Sequence, residues 1–370
     1  MEGPDSWPTT CMGVKRPRIK PALRQVLRSE RTLQIGLHPR RAAMLHNTEP
    51  RFMRLVRALD GTRDVRQILA LAQADGLTAT ETISLLHMLI RRGVIDDAAA
   101  QPVPLRPLGL AERDRLQPDL DALSLDPAST DCGFGAFARR RAAYVRVYGA
   151  GRIGAQVVAL LAAAGIGHLC VSDPVTALAA DVVPGGLGWS EVGGTRQDGA
   201  AAVARRIAPG VNVWTGEHAA SLDDRARPPD LAVLCPTEPL DHLLVAELMD
   251  AGVPHLLVTG FEGFGSVGPL VLPGRTACLY CIELIRRDRD PTWPLFTARL
   301  GGIPAGDRAL DTVLATQVAA TAASHALARI DGTGEVVTNG TLDLLPDWGW
   351  RRRSWSQHPR CDCCVQNDFE

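Results

Sequence analysis

Aromatic residues are few in this 370-residue sequence (5%), and neither sign of charge prevails: 40 Lys and Arg stand against 41 Asp and Glu, a net of −1. That balance argues against a protein that coats nucleic acid or holds to an anionic membrane by bulk charge. No apolar run is long enough to cross a bilayer, because Gly, Pro or charge interrupts each one. Residues 1–21 (MEGPDSWPTTCMGVKRPRIKP) carry basic positions but no apolar core of the kind a secretory signal needs. The nine cysteines, an odd number, do not form an evident disulfide framework. The cytoplasm is therefore the expected compartment. Lysine is also scarce beside abundant Ala, Arg, Gly and Pro, the composition of a GC-rich coding sequence. What remains is 46% hydrophobic content, enough for one full core and a smaller second domain.

Two cysteine groups stand out. Cys278-Leu279-Tyr280-Cys281 lies deep in the chain, and Cys361-Asp362-Cys363-Cys364 lies near its end. Each offers thiols in C-x-x-C spacing, on turns tight enough for two sulfurs to face one ion. Four thiolates make a closed tetrahedral site suited to structural zinc, with no open position for catalysis. Such a site would pin the end of the chain to a segment far upstream. His358, beside the second pair, is the histidine to consider as a supporting or substitute ligand.

Upstream, residues 1–20 read as a disordered tail and 21–97 as a compact unit. Thr32–Leu37 and Arg41–Leu45 are expected strands around His38-Pro39, followed by a short helix near Phe52–Leu59 that breaks at Asp60-Gly61. Val65, Ile68, Leu69 and Ala72 follow the spacing of an amphipathic helix. Thr78-Ala79-Thr80-Glu81 has the pattern of a capping box opening a third helix, which ends at Arg91-Arg92-Gly93. Val94–Asp97 returns as a strand. This order describes a small winged-helix-like α+β module. Its third helix begins acidic and ends basic, the reverse of what a DNA-reading helix needs, so peptide capture on a sheet edge or groove fits better than nucleic acid. A plain packing or dimerisation domain is the alternative. Residues 98–142 read as a Pro-rich linker with helical segments.

The segment 143–370 opens with Tyr144–Tyr148, a strand feeding Gly149-Ala150-Gly151-Arg152-Ile153-Gly154. A helix follows, then Gly165-Ile166-Gly167, a strand His168–Ser172, and Asp173. A strand before the glycines, a helix after them and an acid about 20 residues further on is the context of a nucleotide-binding loop. The glycines let backbone approach a phosphate at the helix N-terminus, and the acid accepts ribose hydroxyls. Alone, this would fit an NAD-dependent oxidoreductase, which has no use for the two cysteine groups. Cys170 and Cys235 lie in apolar strand contexts as inert thiols, whereas Cys11 and Cys132 fall in loops.

Taken together, the glycine loop, Ala164-Gly165-Ile166-Gly167, Asp173 and both C-x-x-C pairs in this order resemble the ThiF/MoeB-type, ubiquitin-activating-enzyme-like family over about residues 140–370. The resemblance implies an α/β fold with a Rossmann-like sheet, Cys278, Cys281, Cys361 and Cys364 as zinc ligands with Cys363 spare, and Gly149, Gly151, Gly154 and Asp173 around ATP and magnesium. It also implies that Arg196 stands where the family has a lysine and Glu238 where it has a metal-binding aspartate. The loop that should carry Asn-x-x-Arg-Gln reads Asp181-Val182-Val183-Pro184-Gly185-Gly186-Leu187-Gly188-Trp189. Joining ATP to a carboxylate brings two anions together and needs a metal and fixed cations, so these departures point to an eroded ATP site.

A winged-helix-like domain ahead of such a chain resembles the leader-peptide-binding partner proteins of ribosomal-peptide modification. That resemblance implies a protein that binds a precursor or leader peptide and presents it to a partner modifying enzyme. The alternative is an ATP-dependent adenylyltransferase acting on the C-terminus of a ubiquitin-like or peptide carrier. A homodimer is the family's common assembly. The Trp/Arg stretch Trp348–Trp355 is expected as an exposed strand.

Overall fold

Apolar periods of two and of 3.6 residues both become regular elements in the computed structural model, which describes residues 7–46, 48–216, 228–236, 240–299, 309–334 and 336–363. The chain divides into two units, Met1–Ala138 and Arg139–Glu370.

In the first unit, β1 (Pro17–Ile19) precedes a hairpin of β2 (Gln25–Ser29) and β3 (Thr32–Ile35), and β4 (Ala43–Leu45) completes an antiparallel sheet of order β2-β3-β4. Gln34 pairs with Met44 and Leu33 with Leu45, so Leu33, Ile35, Ala43 and Leu45 fill one buried face. Three helices follow: α1 (Pro50–Arg57), α2 (Val65–Ala74) and α3 (Ala79–Arg91). Asp64 with Gln67 and Thr78 with Glu81 form reciprocal capping boxes, which satisfy amides that the first turns of α2 and α3 would leave unpaired. Then β5 (Ile95–Asp97) pairs with β1, Ile19 opposite Ile95.

The N-terminal expectation needs correction. From residue 7 onward the segment read as a tail is folded: Trp7, Cys11, Val14 and Ile19 are buried in the core of this unit, and residues 17–19 are a strand. Its apolar residues are sparse and set among charges and prolines, so no local period announces them. The helical segments expected in residues 98–142 are present and pack together. Here α4 (Leu110–Ser124) and α5 (Phe134–Ala142), in which the division between units falls, gather Leu105, Leu108, Leu116, Leu120 and Phe137 into a core of their own. Lys20 is the tie. Fully buried, its ammonium donates to the carbonyls of Ser124, Asp126 (3.0 Å) and Ser129 (2.8 Å), with Asp96 at 3.9 Å. Burial pushes its pKa down, and the three carbonyls replace the water that it loses.

The second unit is built on one eight-stranded sheet of order β13-β12-β11-β10-β9-β6-β7-β8. β6 (Tyr144–Tyr148), α6 (Gly154–Ala163), β7 (His168–Ser172), α7 (Arg196–Ile207) and β8 (Asn212–Thr215) form a right-marching parallel half. The chain then returns to the other side of β6 as β9 (Leu231–Leu234), continues through α8 (His242–Asp250) to β10 (His255–Phe261), and turns back as β11 (Phe264–Val271). After α9 (Leu279–Arg289), α10 (Trp293–Arg299) and α11 (Thr312–Asp331), β12 (Gly340–Leu344) and β13 (Trp350–Ser354) extend the antiparallel edge. Val145, Val147, Leu169 and Val171 point into one buried layer with the alanines of α6, α7 and α11. Ala232 and Leu234 face a second layer with Leu248, Leu279, Ile282 and Trp355. The fold is thus an α/β Rossmann-like sheet, and β13 is the exposed edge strand that the Trp/Arg stretch foretells. Among the described residues no helix is long and apolar enough to cross a membrane.

His255 is fully buried at the start of β10, with Nδ1 against the Val253 carbonyl at 3.0 Å. Burial holds its pKa below the ordinary imidazole value of 6.5. The unfolded chain therefore takes up a proton that the folded chain refuses, so stability is full above pH 6.5 and is lost as pH falls below it. Denaturant unfolding at several pH values checks this: the decline on acidification should be shallower in His255→Gln than in the wild type.

Candidate functional site

Strand order reverses beside β6, and the crevice outside the carboxyl ends of β6 and β9 is where open α/β sheets bind their ligands. Backbone crowding there explains two of the glycines. Gly149 has φ +87°, and a Cβ on it would fall 1.9 Å from the Cys235 carbonyl oxygen; a Cβ on Gly154 would fall 1.9 Å from the Gly149 oxygen. Gly151 accepts from the Ala155 amide at 3.0 Å, which opens α6.

Asp173 directly follows β7 and points into this loop. Its Oδ2 accepts from the Ala150 amide at 2.7 Å, its Oδ1 from the Val175 amide at 3.2 Å, and its own amide donates to Gln197 Oε1 at 2.9 Å. Only 5% of the residue is exposed, and burial raises its pKa against the pull of Ala150 and Arg196. The carboxylate expected to meet a ribose is therefore satisfied from within.

Arg196, the first residue of α7, is equally occupied. Nε and Nη2 donate to Asp181 at 2.9 and 2.7 Å, and Nη1 stands 3.9 Å from Asp173. Arg196 thus lies near Asp173 but is held by Asp181, whose role no sequence signal marked. Arg152, within the glycine loop, crosses to the Ala180 carbonyl and Thr312 Oγ1, both at 2.7 Å. Below this, Glu191 takes Arg206, Ser190 and the Gly188 amide, each at 2.8 Å, and the hydrogen bond from Arg206 brings its pKa down to about 2. Glu238, the expected magnesium ligand, lies outside the described residues.

The second cluster is of sulfur. Cys278 caps the N-terminus of α9, its Sγ accepting from the Cys281 amide. Around it the Sγ–Sγ separations are 3.7 Å (278–281), 3.5 Å (278–361), 3.4 Å (281–363) and 3.2 Å (361–363). These are too long for disulfides. A tetrahedron with metal–sulfur bonds of about 2.3 Å has edges of about 3.8 Å, so the set fits one ion. Burial pushes the Cys278 thiol up to about 12, which means that four thiolates need a cation between them at neutral pH. Cys363, the residue left as a spare, takes a place in the described cluster, while Cys364 lies outside the described residues. His358 contributes its backbone rather than its ring. Its amide donates to Cys281 Sγ at 3.3 Å, while Nε2 meets Asp288 at 2.9 Å and Nδ1 accepts from the Arg360 amide at 3.1 Å.

None of the remaining cysteines with a resolved pKa is an activated nucleophile. Burial raises the thiol of Cys11 and pushes that of Cys132 to about 11; Cys170 and Cys235 are buried as expected.

In the first unit, where the sequence raises the expectation of peptide capture, a strand edge and a cavity lie together. β4 is an edge of its sheet, and beside it opens a cavity of about 300 Å³ floored by Met44, Leu45, Phe52, Val56 and Leu85, with His46, Thr48 and Glu49 at its rim. An unpaired strand edge next to a cavity of mixed lining can take an extended peptide, by main-chain hydrogen bonds and one inserted side chain.

A sequence profile described as the ThiF family matches residues 130–364. No curated protein matches the sequence. Among solved structures, E. coli MccB with AMPCPP and MccA is similar at 15% identity and TM-score 0.68, covering 94% of this chain and 99% of its own. MccB in complex with N-formylated MccA, a structure that names it the Microcin C7 biosynthetic enzyme, gives 14% identity and TM-score 0.66 with the same coverage. PaaA gives 17% identity and TM-score 0.67 over 91% of this chain and 99% of its own. At these identities the likeness concerns the fold.

Two outcomes are expected. Arg196→Met strands Asp173 and Asp181 as buried, uncompensated charges and should cost about 3–5 kcal/mol in denaturant unfolding. Cys361→Ser should lower the bound metal measured by atomic absorption and loosen the C-terminal segment to proteolysis.

Proposed function

Because the chain belongs to the ThiF family, we propose that it binds a precursor or leader peptide and presents it to a partner modifying enzyme, its own ATP site having eroded. The observation that carries this reading is the open edge of β4 beside the cavity of Met44, Phe52, Val56 and Leu85. A leader peptide added there as a fourth strand gains affinity from backbone pairing and specificity from the side chain it inserts. The structures of MccB with the MccA peptide support a peptide as partner.

The Rossmann-like unit serves as the scaffold. Asp173 and Arg196 answer each other and Asp181, so the crevice offers a phosphate chain no idle cation from this group. Arg lacks the compact point charge of the family's lysine, and its planar fork suits the carboxylate that it holds. Zinc held by Cys278, Cys281, Cys361 and Cys363 would have a structural role, four sulfurs leaving no position for a reactant.

The second reading, an adenylyltransferase acting on a carrier C-terminus, is favoured by one finding: the similar MccB structures include complexes with ATP and AMPCPP. On it, Gly149, Gly151, Gly154 and Asp173 hold ATP with magnesium, Arg196 faces the phosphates and Glu238 holds the metal. Arg196 would first have to leave Asp181.

Calorimetric titration of the full chain with ATP and magnesium separates the two. The scaffold reading expects no micromolar binding; binding that Asp173→Ala abolishes would establish the enzyme instead. In parallel, a precursor peptide encoded next to this gene should bind the wild type and lose affinity for Leu85→Asp.

A further inference from the structure

Charge is distributed unevenly along the groove beside β4. At one end stand Glu49 and Glu81, brought together by Arg51, whose Nε meets Glu49 at 2.9 Å and whose Nη2 lies 4.0 Å from Glu81. The first turn of α3 is here, so this end of the groove follows β4 in sequence. At the other end, α3 finishes with Arg91 and Arg92, and β4 is preceded by Arg40 and Arg41, all four exposed. The turn around residues 125–127 brings these pairs to the same end. Arg41 Nη1 donates to the Leu125 carbonyl at 3.1 Å, while Gly93, directly after Arg92, packs on Pro127. Asp126 stands there too, its carboxylate taking the Ala128 amide at 3.0 Å.

Resting on the peptide-binding reading above, we infer that the ligand of this groove is an acidic extended peptide with one large apolar residue for the cavity and carboxylates on one side of it only. Spacing follows from the helix wall. From Leu85 to Arg91 and Arg92 is about 10 Å along a helix rising 1.5 Å per residue. Arg40 and Arg41 lie in the turn that leads into β4, four and three residues before Met44. The helix wall therefore sets Arg91 and Arg92 about three to four positions from the inserted side chain of a bound strand. Acidic residues on the opposite side would face Glu49 and Glu81, two carboxylates that share the one cation of Arg51. Nucleic acid fits less well, because the cavity's apolar floor and the two glutamates lie in the path of a phosphate backbone.

The test is selection from a phage-displayed library of random decapeptides on the full chain, followed by binding of the enriched peptides to the wild type and to Arg91→Glu/Arg92→Glu. The inference expects one enriched large apolar position, with Asp or Glu three or four positions away on a constant side. It also expects about tenfold weaker binding in the double variant, the size of two exposed charge pairs, with circular dichroism unchanged. Enriched peptides with the apolar position but no acidic bias, or with acids on both sides, would overturn the inference and leave the peptide-binding reading standing. No enrichment, or enrichment indifferent to Leu85→Asp, would remove both. A DNA duplex that competes with the enriched peptides and loses affinity in the double variant would assign the arginines to nucleic acid and overturn it as well.

Discussion

Burying Asp173 constrains everything at the carboxyl ends of the parallel strands. A carboxylate almost out of water must be met by donors, and the chain supplies the Ala150 and Val175 amides and, at longer range, Arg196. Arg196 in turn needs a closer counter-charge than Asp173 at 3.9 Å and finds it in Asp181. Asp181 also takes the Leu178 amide at 2.8 Å, which fixes the loop over which Arg152 then closes. One buried charge thus organises the glycine loop, the segment after β7 and the first turn of α7.

The two units solve a common problem, how to hold remote segments together, with different chemistry. In the first, a single lysine holds three carbonyls at the end of α4 and in the turn after it, a tie that costs desolvation and gives back directional hydrogen bonds. In the second, sulfurs from the start of α9 and from residues 361–363 converge in a set that could hold a cation. Neither tie occupies the β4 groove or the crevice at β6. The proposed division of labour, peptide on the first unit and scaffold in the second, is consistent with that separation of stabilising and surface features.

Much of the fold was legible because local physics marks it. Tyr144–Tyr148 and His168–Ser172 are the observed strands to the residue, since apolar runs bounded by glycine turns admit few alternatives. A capping box placed the start of α3, and apolar spacing marked α2. The strand Asn212–Thr215 escaped notice because four residues with polar ends carry no period. Residues 7–20 escaped because a few apolar side chains among arginines and prolines have meaning only once a core exists to receive them.

The sequence by itself determined the doubly patterned α/β sheet, the glycine turn at the end of β6 and the meeting of two cysteine groups, because period, backbone freedom and ligand spacing are local properties. Only the tertiary structure decided which groups became partners. It put Cys363 among the sulfurs, set Asp181 against Arg196, sank Lys20 into a ring of carbonyls, and left the edge of β4 unpaired beside a cavity. The reason is common to all four: each depends on the approach of segments distant along the chain or across a turn, and that approach is set by packing rather than by neighbouring residues.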